Sequence, residues 1–135
     1  MPPRVFTPDE ANAALSELRP LVEGMVDGKR ALDEAQERRD DVAQRIAGNG
    51  GGIPPAELGA LEAAVEDAAK TLAATIGEIQ AMGVLVKDLD TGLVDFPATR
   101  DGEDILLCWQ LGEDEVAHWH GVDEGFAGRK PLPLE

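Results

Sequence analysis

The sequence contains one cysteine, which excludes an internal disulfide bond. It also lacks a charged N-terminal segment followed by an apolar run and a small-residue cleavage site, the pattern of an export signal. No apolar stretch approaches the roughly 20 residues that a bilayer-crossing helix requires. We therefore expect a cytoplasmic protein with no membrane partner.

Basic residues are also scarce. The chain has 12 lysines and arginines against 27 acidic residues, which gives a formal net charge of -15. Such a surface repels phosphate backbones, and no basic stripe compensates, so a nucleic-acid partner is not expected. A length of 135 residues suits a single domain over residues 1–135.

A helix-start signal lies near the N-terminus. Thr7 can cap the helix, Pro8 suits its first position, and Glu10 completes a capping box. We expect helix one over residues 8–47, kinked or briefly broken near Pro20, because proline lacks an amide hydrogen. Its seven-residue repeat combines Leu15, Val22, Lys29, Gln36 and Ala43 with Leu18, Met25, Leu32, Arg39 and Ile46.

The glycine-rich run from Gly48 to Pro55 ends helix one. Helix two is expected over residues 55–82 and should pack antiparallel to helix one as a coiled-coil-like hairpin. The polar residues in the middle of the first seam suggest that helix one does not bury all of this seam against helix two. The remaining surface is then available to a protein partner or for self-association through helix one and helix two. The second stripe consists of Leu58, Leu61, Val65, Ala68, Leu72, Thr75, Ile79 and Met82.

After Gly83 the apolar period changes from helical to alternating, which predicts a small antiparallel β-meander of about four strands over residues 84–120. The expected strands are 84–89, 93–96, 105–111 and 116–120, with Gly92 at a positive backbone angle and Pro97 ending the second strand. Residues 121–135 form an irregular tail. The fold class is α+β.

The segment CWQLGEDEVAHWH, residues 108–120, gathers the only cysteine, both tryptophans and both histidines. If residues 112–115 form an even turn, Leu111 pairs with Val116. An odd turn would shift the register by one residue and bring Cys108 onto the histidine face. We favour the even turn. It pairs Trp109 with His118 and Leu107 with His120, and it places Cys108 with Trp119.

The even register makes metal binding the weaker hypothesis. His118 and His120 point to one face, but zinc usually takes three or four ligands, and Cys108 then lies on the other face. No cofactor is expected, with zinc or iron at His118 and His120 as the alternative. Cys108 is interpreted as an inert core residue.

The acidic residues of the second strand and of the turn are interpreted as structural, whereas the tail has two alternative interpretations. Asp95 is interpreted as an exposed strand position and residues 113–115 as a solvated acidic turn. Phe126 and Arg129, with His120, Trp119 and Asp88, are the candidates for a ligand site. In the alternative, Arg129 pairs with an internal carboxylate such as Asp88 or Asp123 and pins the tail.

Three ordered strings, KDLDTGLVDFPA, LLCWQLGEDEVAHWH and GFAGRKPL, resemble the bacterial family known as domain of unknown function 2203. The resemblance covers nearly the whole chain but implies no activity. Gln110 stands where the family looks more often basic, and the resemblance does not support a pair of His118 with His120. It picks out Asp88, Gly92, Asp95, Phe96, Pro97, Cys108, Trp109, Gly112, Glu113, Trp119, His120, Gly125, Phe126, Gly128, Arg129, Pro131 and Leu132.

The sequence thus favours a non-enzymatic interaction or oligomerisation module. The alternative is a small-ligand or metal-binding protein, or an enzyme, with a site around Trp119, His120 and Arg129. An open pocket that holds His120 and Arg129 together would favour the alternative.

Overall fold

The computed structural model describes residues 4–49 and 55–134 and contains the expected helical hairpin. Helix α1 spans Pro8–Asn49 and helix α2 spans Pro55–Ala81. Most of the predicted glycine-rich turn, residues 50–54, lies outside the described residues. Neither helix is both long enough and apolar enough to cross a membrane, within the part of the chain described.

Helix α1 begins with the predicted capping box. The Glu10 amide donates to Thr7 Oγ1 at 3.1 Å, and the Thr7 amide donates to Glu10 Oε1 at 2.9 Å. The helix continues through Pro20 without the predicted break. Pro20 and Ser16 are both exposed, so the carbonyl that proline leaves without its helical partner faces solvent.

The two apolar seams pack against each other, and the seam of α2 is the predicted one. In α1, Leu15, Leu18, Val22 and Met25 are buried as expected. Beyond Met25 the seam shifts by one residue, so that Ala35 and Val42 are buried instead of Gln36 and Ala43. The shift follows from the mismatch between the 3.6-residue helical turn and a seven-residue repeat.

The second half of the chain forms a five-stranded antiparallel sheet in sequential order, which confirms the α+β meander. The tail contributes a short 3₁₀ turn at Phe126–Gly128 and a fifth strand that pairs with the fourth. The strands are β1 Leu85–Asp88, β2 Leu93–Arg100, β3 Glu103–Gln110, β4 His118–Gly121 and β5 Lys130–Pro131.

Pro97 does not end its strand, contrary to the expectation from sequence. Its partner across the ladder is Leu106, and β2 continues to Arg100. The Pro97 carbonyl accepts the Phe6 amide at 2.7 Å, which shows that its polar side faces the N-terminal segment rather than β3. The missing proline N–H therefore costs the β2–β3 ladder no hydrogen bond.

The register of β3 against β4 is odd, so the even turn predicted from sequence is wrong. Cys108 pairs with His118, Leu107 with Trp119, and Leu106 with His120.

Val116 explains the shift, because helix α1 binds its backbone. The Val116 amide donates to Asn12 Oδ1 at 2.6 Å, and its carbonyl accepts from Asn12 Nδ2 at 3.2 Å. Val116 is thereby withdrawn from the strand and buried in the core between sheet and helices.

The two faces of the sheet differ in chemistry. The face toward the helices carries the main core, including Val94, Phe96, Leu107 and Trp109. Because side chains alternate along a strand, Asp95, Cys108 and His120 lie on the opposite face. Tail residues Glu124 to Phe126 line a pocket on that face together with Asp95 and His120.

Candidate functional site

Three neighbouring strands bring one carboxylate, one thiol and one imidazole together. Asp95 of β2 lies directly across from Cys108 of β3, and His120 of β4 is one diagonal step away from Cys108. Their relative exposures are 1%, 0% and 3%. One oxygen, sulfur or nitrogen atom from each lies within 4.8 Å of the other two.

The backbone fixes the orientation of the His120 ring. Nδ1 lies 2.8 Å from the carbonyl oxygen of Gly121, which can only accept, so Nδ1 carries a hydrogen. The other nitrogen, Nε2, lies 3.1 Å from Asp95 Oδ2. The contact between Nε2 and Asp95 Oδ2 therefore needs either a hydrogen shared by the two atoms or a cation that both atoms bind.

Asp95 is buried rather than exposed, which corrects the expectation from sequence. Its Oδ2 atom faces His120, with Lys87 Nζ at 4.0 Å. Its Oδ1 atom is buried and has no hydrogen-bond partner of ordinary geometry among the described residues, although the Cys108 thiol lies within reach of the Asp95 carboxylate. A buried carboxylate oxygen normally has a partner, so Oδ1 can accept a further donor or bind a cation.

Cys108 is a protonated thiol in this environment. Burial, followed by the negative charge of Asp95, raises the pKa of Cys108 to about 12. The Arg129 guanidinium opposes this rise by favouring the thiolate. The thiol is therefore no free nucleophile, but a metal ion would convert it into a thiolate ligand.

Arg129 is paired with Glu113 instead of with Asp88 or Asp123. Its Nη2 atom lies 2.7 and 2.9 Å from the two Glu113 oxygens, and Arg129 also stacks on Phe126. Glu113 is half-buried, so it does not belong to a fully solvated acidic turn. The guanidinium pins the tail to the turn after β3, as in the alternative considered above, although the carboxylate is a different one.

Other candidates from the sequence are not members of this group of three donors. Trp119 points to the helix-facing side and stacks between Arg100 and Lys130. Asp88 caps its own turn by accepting the Asp90 amide at 2.9 Å. His118 shares the face of Cys108, but its Nδ1 lies 3.9 Å from Glu113 Oε2, and His118 is outside the three-residue group.

A pocket of about 190 Å³ opens beside the three donors. His120 and Phe126 line it, whereas Arg129 does not. The lining residues are Lys87, Leu93, Asp95, His120, Glu124, Gly125 and Phe126.

The donor chemistry suits a borderline metal ion. Thiolate, imidazole and carboxylate are all zinc ligands, and a thiolate selects against magnesium and calcium. At zinc bond lengths of about 2.0 to 2.3 Å, tetrahedral donors lie roughly 3.3 to 3.7 Å apart. Donors within 4.8 Å of one another therefore need to close by up to about 1.5 Å to bind one ion.

Sequence reasoning missed Asp95 as a member of this site. Asp95 lies between Val94 and Phe96, and a carboxylate within so apolar a strand was the available signal. Cys108 was assigned to the wrong face, because the register depends on a contact with α1 that no local pattern encodes.

A family model described as "Uncharacterized conserved protein (DUF2203)" matches residues 4–132 of the chain. No curated protein and no solved structure matches it.

Proposed function

We propose that this chain, which belongs to the family described as Uncharacterized conserved protein (DUF2203), binds one divalent transition-metal ion, zinc or iron, through Asp95, Cys108 and His120. The observation that carries the proposal is the buried group of three different donors, in which Asp95 Oδ1 has no hydrogen-bond partner of ordinary geometry among residues 4–49 and 55–134. Three protein ligands with one position left over is the arrangement of reactive rather than purely structural zinc sites.

Two neighbouring contacts support the metal site. The carbonyl of Gly121 holds the His120 tautomer in which Nε2 faces Asp95, which is how outer-shell groups orient histidine ligands. Arg129 lies close enough to Cys108 to favour its thiolate form, and Glu113 holds Arg129 there. Because a thiolate ligand must stay reduced, we also propose a cytoplasmic location.

The test is metal uptake by untagged protein prepared without chelators. Elemental analysis after dialysis against zinc should give one ion per chain. Cobalt in place of zinc should show a thiolate charge-transfer band and intense tetrahedral d–d bands. At a free zinc concentration one hundred times Kd, the bound ion should add about 2.7 kcal/mol to the free energy of unfolding.

Paired variants decide which residues hold the ion. Asp95→Asn and Cys108→Ser nearly preserve side-chain volume and should each weaken zinc binding by at least about tenfold. Asp104→Asn and His118→Gln are the matched controls, because both side chains lie outside the three-residue group. Circular dichroism of each variant checks the fold. Equal zinc affinity in all four variants would contradict the proposal, as would wild-type protein that takes up no metal.

We propose self-association through the helical hairpin as a second function. In the first half of α2, the seam residues Leu58, Leu61 and Val65 are only half-buried, although α1 and α2 pack against each other. A second copy would cover this seam. Both helices are acidic, so association should strengthen when salt screens their repulsion.

Sedimentation velocity at low and high salt tests this second function. Val65→Lys should abolish the dimer, whereas Ala64→Lys, at the neighbouring exposed position, should leave it intact. Monomers at every protein and salt concentration would reject self-association and would leave the metal proposal unaffected.

A further inference from the structure

The pocket beside the three donors suggests what occupies the remaining metal position. Asp95 and His120 both line the pocket, so a ligand in the pocket can reach an ion held between them. A volume of about 190 Å³ is below the roughly 300 Å³ at which pockets for drug-sized ligands begin. The occupant is therefore a molecule of a few heavy atoms.

The charges around the pocket favour an anion. A divalent ion would be balanced by the Asp95 carboxylate and the Cys108 thiolate. Glu124 is neutralised by Lys130, whose Nζ lies 2.7 Å from Glu124 Oε1. The Lys87 ammonium, 4.0 Å from Asp95 Oδ2, is then left with excess positive charge in a chain that is otherwise strongly acidic.

The pocket walls favour an anion with a short apolar chain. Leu93 and Phe126 contribute apolar surface, and Phe126 is 48% exposed. We propose that the pocket binds a small monocarboxylate, with one carboxylate oxygen on the metal ion and the other hydrogen-bonded to Lys87. This inference rests on the proposed metal site, and it names the ligand class of that site.

The experiment titrates cobalt-loaded protein with propionate and follows the d–d bands. Propionate should change these bands saturably, whereas neutral propionamide should not. Lys87→Met should weaken propionate binding by at least about tenfold, the size of one lost charge-assisted hydrogen bond. Lys70→Met is the control and should leave propionate affinity unchanged, because Lys70 pairs with Glu66 on the exposed face of α2.

The outcomes separate the two proposals. Protein that takes up no cobalt would overturn the metal site and this inference with it. Protein that binds cobalt but shows no spectral response to propionate would overturn the carboxylate pocket alone. An unchanged propionate affinity in Lys87→Met would overturn the role of Lys87. Cobalt content is measured for every variant, and affinity is compared per bound ion.

Discussion

The reactivity of the Cys108 thiol is set by its burial and by the charge of the neighbouring Asp95. Burial and the Asp95 charge raise the pKa of its thiol from 9.0 to about 12. At neutral pH the smaller thiolate fraction and the burial of the sulfur should together slow alkylation by at least about a hundredfold. We expect iodoacetamide to label the folded, metal-free protein that much more slowly than the chain unfolded in urea.

Cys108 is the only cysteine, so mass spectrometry of the intact chain counts its alkylation directly. Labelling in native buffer as fast as in urea would show that the thiol is accessible and ionised, contrary to this prediction. Added zinc should slow the native reaction further, because a coordinated sulfur is no longer free to attack.

Gly92 shows how a single residue fixes the turn that positions β2. Its φ of 72° is in the left-handed region, and a Cβ atom there would lie 2.8 Å from the Leu111 side chain and 2.9 Å from Val22. Gly92→Ala should therefore lower the free energy of unfolding by about 1 to 2 kcal/mol for the backbone and by about 1 to 3 kcal/mol more for overpacking.

Gly102 is the matched control for Gly92. Its φ is 83°, but no atom of the described residues lies within 4 Å of the position that an added Cβ atom would take. Gly102→Ala should lose only the backbone contribution, about 1 to 2 kcal/mol. Urea denaturation of both variants measures the difference, and equal losses would show that the contacts with Leu111 and Val22 relax freely.

At the scale of elements, the capping box of α1 gives the stability a defined pH dependence. Hydrogen bonds from the Thr7 amide and then the Thr7 hydroxyl lower the pKa of Glu10 below its ordinary value of 4.5. A lowered folded pKa stabilises the protein above pH 4.5, and this contribution disappears as the pH falls through the folded pKa. Thr7→Ala should cost about 1 kcal/mol at neutral pH.

Glu10→Gln removes the carboxylate charge of Glu10 and nearly keeps the size of its side chain. Wild-type protein should be more stable than this variant at neutral pH, and the difference should shrink as the pH is lowered past 4.5. Glu17→Gln, an exposed position further along α1, serves as the comparison. Thermal unfolding followed across pH measures the effect, and a difference that grows on acidification would reverse the predicted sign.

The elements themselves could be predicted because their signals are local. The capping box marks the start of α1, the stripe of α2 matches its buried face, and the positive angle at Gly92 follows from its turn. The register of β4 could not be predicted, because the side chain of Asn12, which binds Val116, comes from the other end of the chain. Cys108 was therefore assigned to the wrong face, whereas Asp95 was interpreted as an exposed strand position although it lies between Val94 and Phe96.

At the scale of the whole molecule, burial is concentrated at the sheet end. The buried residues of α2 are Leu72 and Ile79, both in its second half, whereas the seam from Leu58 to Ala68 is half-buried. Local opening free energy follows the density of buried apolar contacts. Amide hydrogen exchange should therefore be fastest, among the two helices, in residues 55–68 of α2.

Zinc should slow amide hydrogen exchange in the sheet but not in the first half of α2. The three donors belong to β2, β3 and β4, so a bound ion stabilises the paired sheet against opening by its binding free energy. Exchange should slow in these strands and stay unchanged in residues 55–68, where no donor lies. Hydrogen exchange with mass spectrometry, with and without zinc, measures both regions at once. Uniform slowing over both would point to stabilisation through association of the hairpins, and slowing over α2 alone would place the bound metal outside the Asp95, Cys108 and His120 site.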